Sequence, residues 1–164
     1  MLCEANTIMT TGFIGFGANK SNTKRSLMTA RTILEKQGVR VISQSSLWSS
    51  PAWPPGFGRP DYTNAVIKFE YSKTADALIA LLMSTEAKLG RVRSIPNASR
   101  IIDLDLLIFG DETRNTARLT LPHPRMLDRA FVLLPLCEID PIWLSELAKL
   151  PSSDIESMEY IGRW

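Results

Sequence analysis

Two successive β-α-β patterns constrain this chain more than any other feature. Gly12 to Phe16 (GFIGF) reads as a strand running into the turn Gly17-Ala18-Asn19, whose glycine and asparagine tolerate unusual backbone angles. Ser21 or Asn22 can cap a helix over about 23–37, where Leu27, Ala30, Ile33 and Leu34 form one apolar stripe and Gly38 ends it. A strand over Val39 to Ser50 follows, then a Pro- and Gly-rich loop at 51–60 that cannot be regular structure and that carries Trp53 and Phe57. The pattern then repeats. Tyr62 to Tyr71 alternates as a strand, and Lys73 to Leu89 is helical with Ala75, Ile79, Leu82, Glu86 and Leu89 on one face. A basic loop over 90–100 leads into a strand within Arg100 to Gly110. This order predicts an α+β fold, a ferredoxin-like four-stranded antiparallel core sheet with two helices on one face. Helices over about Leu127 to Glu138 and Trp143 to Leu150 add C-terminal helices, while the tail to Trp164 has little pattern. The other sheet face is left for loops, those extra helices or a ligand.

Composition fits a single domain. Its 164 residues are 45% hydrophobic and 22% charged, enough for a sizeable core, and the first ten are expected to be loose. Lys+Arg 19 against Asp+Glu 17, with the basic residues scattered, gives no global reason to expect a nucleic-acid partner. Cys3 lies near the start and Cys137 inside an apolar helical pattern, so neither a disulfide framework nor a thiolate metal site is expected. A reducing, cytoplasmic setting follows. The opening MLCEANTIMTT lacks a basic segment followed by an apolar one, and no apolar run approaches a bilayer span. No membrane partner is expected.

The stretch Arg100 to Gly110, RIIDLDLLIFG, places Asp103 and Asp105 in an otherwise apolar strand. Their spacing of two puts both carboxylates on one face, with Leu104 and Leu106 on the other. Two such charges repel unless a cation sits between them or one takes a proton. Mg²⁺ commonly uses one or two carboxylates and completes its shell with substrate phosphates and water. A surface strand can also carry D-x-D, but the flanking Ile101-Ile102 and Leu106-Leu107-Ile108-Phe109 argue against one here.

Arg91, Arg93 and Arg100 precede the acidic pair, and guanidinium forks match phosphate oxygens. Cations beside a metal-binding carboxylate pair are what phosphoryl transfer requires, because they neutralise charge on the moving group. A solvated basic loop is the plainer reading of any single arginine. His123, the only histidine, stands between Pro122 and Pro124 with Arg118, Arg125 and Arg129 around it. It is either a surface loop residue or a donor or acid directed at a phosphate. Glu86 is either a carboxylate paired with an arginine of the next loop or a helix-surface residue. No G-x-x-x-x-G-K-[ST] occurs, nor a Rossmann or kinase signature, so any ATP site uses another scaffold.

Several segments together resemble a known family: GFGAN at 15–19, PDYTN at 60–64, GRVR at 90–93, RIIDLDLLIFG at 100–110, RLTLPHPRM at 118–126 and RAFVLLPL at 129–136. The chain is similar, over about residues 11 to 142, to the 6-hydroxymethyl-7,8-dihydropterin pyrophosphokinases of folate biosynthesis. The resemblance implies a ferredoxin-like core, transfer of the pyrophosphoryl unit of ATP to the pterin hydroxymethyl group, and release of AMP. It implies that Asp103 and Asp105 hold two Mg²⁺ ions, and that Arg91 and Arg100 belong to a mobile catalytic loop. Arg118, His123 and Arg129 then meet the triphosphate, and Glu86 lines the nucleotide site. On the pterin side, Ser50 and Pro51 stand at a Thr-Pro of the family and Trp53 near the ring. Asn64 reads the ring's polar edge, and Tyr62 and Phe131 sandwich its faces, as a flat heteroaromatic needs. A monomer is expected, with association with another folate enzyme left open.

Departures lie in the loops. Pro96-Asn-Ala-Ser-Arg100 replaces the usual R-W-G-P/A-R and lacks an arginine and the loop tryptophan, and Pro55-Gly-Phe-Gly-Arg59 differs from the usual D-Q segment. Loops of this kind close to exclude water, so the expectation is an active enzyme with altered lid motion, against the alternative of a non-catalytic pterin- or nucleotide-binding homologue.

Overall fold

The computed structural model describes residues 8–91 and 99–164. One antiparallel sheet organises the chain, built from β1 (Thr10–Ala18), β2 (Arg40–Gln44), β3 (Leu47–Ser50), β4 (Tyr62–Tyr71), β5 (Asp103–Phe109) and β8 (Glu159–Gly162). The strand order is β5-β1-β4-β3-β8, and β2 shares with β3 the edge of β4. The first five strands, counting β2 and β3 as one broken strand, form the expected ferredoxin-like core.

Helices α1 (Thr23–Lys36) and α2 (Ala75–Lys88) cover one face. Each is capped by a side chain: Asn22 accepts the Arg25 N–H at 3.0 Å and Thr74 accepts the Ala77 N–H at 3.2 Å. Gly38 and Gly90, at φ 94° and 87°, turn the chain away just beyond their ends. Leu27, Leu34, Leu78 and Leu82 are buried against Ile14, Phe16, Ala65, Ile67 and Phe69, each leucine contributing about 2 kcal/mol of transfer free energy. A smaller core lies on the opposite face, where α3 (Ala130–Ile139) sets Val132, Leu133 and Leu136 against Phe13, Val66 and Leu107. Only part of that face is covered in this way.

The sequence reading joins β2 and β3 into one strand over 39–50, but the structure breaks it at Ser45-Ser46. Ser45 exchanges backbone and side-chain bonds with Val66: its N–H donates to the Val66 carbonyl and its Oγ accepts the Val66 N–H, both at 2.9 Å. Glu138 of α3 accepts the Ser46 N–H at 3.0 Å and the Trp48 Nε1–H at 2.8 Å. The helix expected over 127–138 begins as a 3-10 turn, Met126–Asp128, before α3, and the one expected over 143–150 is a single turn, α4 (Leu144–Leu147). Two short strands, β6 (Arg114–Asn115) and β7 (Thr120–Leu121), pair with each other ahead of them. The unpatterned tail forms α5 (Ser152–Glu156) and then β8, which pairs with β3. Trp164 closes this edge, donating Nε1–H to the Ser45 carbonyl at 2.8 Å and meeting Phe16 edge-on at 5.2 Å.

Candidate active site

The uncovered half of the sheet face is a cavity of about 560 Å³. Its floor is strand backbone. On β1, Gly15 and Gly17 face it with no side chain, and from β5 and β4 rise Asp103 and Asp105, then Tyr62, Asn64 and Val66. The alternation that buries Leu104 and Leu106 against the helices is what turns both aspartates to the other side. The walls come from the loop after β3 (Ser50, Pro51, Trp53), the segment around α2 to β5 (Arg91, Arg100), the 123–129 turn (His123, Arg125, Arg129) and the start of α3 (Phe131, Val132).

Part of the lining is ionic. Arg91 donates to Asp103 at 2.7 Å and pairs also with Glu86, while Arg100 pairs with the other Asp103 oxygen. Burial works against the charge of Arg100, but Asp103 beside it outweighs this and raises its pKa. Asp105 has no ion pair among the described residues. Burial, and then repulsion from Asp103, raise its pKa to about 6 against the pull of Arg129, Arg91 and Arg100. His123 is pushed the other way: burial and the charges of Arg129 and Arg125 lower its pKa. The backbone N–H of Arg125 donates to its Nδ1 at 3.2 Å, so the neutral ring carries its proton on Nε2. His123 is therefore built to donate a hydrogen bond without bringing a charge.

Other lining residues are suited to a flat ring. Tyr62 and Phe131 are among them, and Arg129 lies over the Phe131 ring at 5.3 Å. Asn64, 4% exposed, donates through Nδ2 to Ser50 Oγ at 2.9 Å, the Trp48 carbonyl at 3.2 Å and the Tyr62 carbonyl at 3.3 Å. These bonds orient the amide, and its Oδ1 receives no donor from the described residues. Trp53 lines the rim and is 80% exposed.

Asp103, Asp105, Arg91, Arg100, His123 and Arg129 thus share one cavity with Ser50, Pro51, Trp53, Tyr62, Asn64 and Phe131. Two expected residues lie elsewhere, and a third is not among the described residues. Arg118 lines an adjoining groove of about 250 Å³ that shares Asp105 and His123 with the cavity. Glu86 does not line the cavity: at 2% exposure it sits behind the wall, accepting the Leu104 N–H at 2.7 Å and holding Arg91. Arg93 lies outside the described residues. Sequence reasoning missed Gly15, Gly17 and Arg125 as lining residues. The two-residue spacing of the glycines, on a strand next to the acidic one, was the available signal.

The profile of the 7,8-dihydro-6-hydroxymethylpterin-pyrophosphokinase (HPPK) family matches residues 13–141. The chain belongs to this family. A 2-amino-4-hydroxy-6-hydroxymethyldihydropteridine pyrophosphokinase of Methylorubrum extorquens is 34% identical over 162 residues, spanning 92% of this chain and 100% of that protein. The enzyme of that name from Synechocystis is 41% identical over 107 residues, 65% of this chain, and there the match spans only 54% of the relative's length. Among solved structures, the Plasmodium falciparum HPPK-DHPS A437G with STZ-DHP has the same fold, with a TM-score of 0.67 at 10% identity over 89% of this chain and 46% of that one. The fold expected from the sequence is thereby shown. No helix among the described residues is long and apolar enough to cross a membrane.

Proposed function

We propose that this HPPK-family chain transfers the pyrophosphoryl unit of ATP to the hydroxymethyl group of 6-hydroxymethyl-7,8-dihydropterin and releases AMP. The observation that carries this reading is one cavity lined both by ionic side chains, Asp103, Asp105, Arg91, Arg100, Arg129 and His123, and by ring-binding ones, Tyr62, Phe131, Asn64 and Ser50. A pterin stacked between Tyr62 and Phe131, its polar edge at Asn64, directs its side chain toward the aspartates. The adjoining groove with Arg118 continues from Asp105 and His123 and is the place for the remainder of the nucleotide.

Two carboxylates on one face, one of them ionising only against burial and a like charge, fit a divalent cation. No group of three acidic, His or Cys side chains suited to a metal occurs among the described residues. Asp103 and Asp105 are the residues that would hold Mg²⁺, expected as two ions. Bound there, Mg²⁺ would neutralise phosphate charge and orient the nucleotide tail. The chain's own groups do the rest. Arg91, Arg100 and Arg129 offset charge on the phosphates, His123 Nε2–H donates to them, and the stacked ring holds the acceptor oxygen in place. In the reaction, the pterin hydroxyl oxygen bonds to the β-phosphorus as the bond from that phosphorus to the oxygen bridging it to the α-phosphate breaks. The hydroxyl proton passes to solvent and AMP leaves. A single domain acting as a monomer in the cytoplasm, where ATP and Mg²⁺ are supplied, completes the reading.

The test is to incubate the purified protein with ATP, Mg²⁺ and the pterin and separate the products. AMP with pterin diphosphate is the expected outcome. ADP in place of AMP, or no pterin product, rejects the assignment and favours the non-catalytic homologue.

A further inference from the structure

Arg125 has no part in the reading above, yet it lines the same cavity. Its backbone is fixed at several points. Besides the bond to His123 Nδ1, the Met126 N–H donates to the His123 carbonyl at 3.2 Å and the Asp128 N–H to the Arg125 carbonyl at 3.3 Å. Met126, 2% exposed, anchors the turn in the second core. An exposed, long side chain therefore starts from a rigid point beside the opening.

The charges divide unequally among the four cavity arginines. Arg91 and Arg100 are already paired with Asp103. Arg125 and Arg129 have no ion pair among the described residues. They also sit close enough to feel each other: burial, followed by the Arg125 charge, lowers the pKa of Arg129. Arg129 is partly buried and lies over Phe131, whereas Arg125 is the exposed member of the pair. Two neighbouring guanidiniums without an ion-paired carboxylate repel, and a multiply charged anion between them removes that repulsion.

We propose that Arg125 is a nucleotide-recruiting residue, an exposed guanidinium at the cavity mouth that takes the polyphosphate of Mg-ATP together with Arg129. The proposal rests on the reading that ATP is the co-substrate. A merely solvated surface arginine is the competing account, and charge dependence separates the two.

Calorimetric titration of Mg-ATP into the full chain, its Arg125→Ala, Arg125→Lys and Arg125→Glu variants is the experiment, with the pterin titrated separately. At an ionic strength of about 0.05 M, Arg125→Ala should bind Mg-ATP about five- to tenfold more weakly than the unsubstituted protein. Arg125→Lys should recover most of that loss and Arg125→Glu deepen it, with pterin affinity following neither. At about 0.5 M the differences should shrink toward parity, because attraction at an exposed site is screened. Equal affinity of the Ala and Glu variants and the unsubstituted protein at low salt overturns the role of Arg125 and leaves the catalytic reading intact. Absence of Mg-ATP binding by the unsubstituted protein overturns that reading, and this inference with it.

Discussion

Replacing Asp105 with Asn should make the ligand-free protein more stable while removing its activity. The carboxyl of Asp105 is raised from the ordinary 3.8 to about 6, first by burial and then by Asp103. A rise of about two pH units corresponds to ~3 kcal/mol, which the folded state bears whenever Asp105 is ionised. The sign follows from the proton. Below about pH 4 the folded and unfolded chains both hold it, and the ionisation cost is absent. Between about pH 4 and 6 the unfolded chain releases it first, so the native state loses ground, and above about pH 6 the loss is complete. Asparagine is never ionised and escapes this penalty. Asp105→Asn should therefore gain about 2 kcal/mol in urea unfolding at pH 7.5 in the presence of a chelator, with the gain fading toward pH 4. Pyrophosphoryl transfer by the same variant should be nearly abolished at saturating Mg²⁺. An unchanged midpoint at pH 7.5, or an equal gain at both pH values, would refute the argument that this charge is strained for the sake of a cation.

Tyr62→Ala should weaken pterin affinity by about tenfold or more and Mg-ATP affinity by less than about threefold; equal losses in calorimetry would count against stacking on this ring. Glu138→Ala leaves the Ser46 N–H and Trp48 Nε1–H without their acceptor and should cost about 1–3 kcal/mol in urea unfolding, with Glu138→Gln recovering part of it. Gly12→Ala and Gly17→Ala form a contrasting pair. A Cβ at Gly12 would stand 2.1 Å from the Ile108 carbonyl oxygen, whereas one at Gly17 meets nothing closer than Asn64 Oδ1 at 3.7 Å. The first should lose several kcal/mol, about 3 or more, and the second should keep its melting temperature but bind pterin less well. Similar melting temperatures for the two would contradict the close strand approach at Gly12.

What was legible in the sequence followed from local period. The strand Tyr62–Tyr71 was readable to its ends because alternation runs between a proline-bearing loop and the polar Ser72-Lys73. The shared face of Asp103 and Asp105 needed only the two-residue repeat. Features that depend on a distant partner were not legible. The break at Ser45-Ser46 is held by Glu138, 92 residues away from Ser46, and nothing local marks it. The β8 strand exists because β3 offers an edge and Trp164 a ring to bury, although its own residues alternate poorly. Glu86 could be seen on the buried stripe of α2, but its position behind the cavity depends on the Leu104 N–H, which the fold brings to it.

The half-covered sheet face explains why ionic chemistry can sit beside an apolar core at all. Had α3 extended across β1, Gly15 and Gly17 would lie under side chains and the aspartates would have no solvent or ligand to face. Instead the helix starts at Ala130, immediately after Arg129, so its apolar side covers Phe13, Val66 and Leu107 while the turn before it delivers His123, Arg125 and Arg129 to the open half. Compensation there is incomplete in its distribution: Asp103 takes both loop arginines, whereas among the described residues Asp105, Arg125 and Arg129 are left without ion pairs. Moving an arginine onto Asp105 would stabilise the ligand-free protein and close the site. The residual imbalance of both signs, a strained carboxylate and two repelling guanidiniums within one cavity, is what the proposed cation and polyphosphate would relieve together.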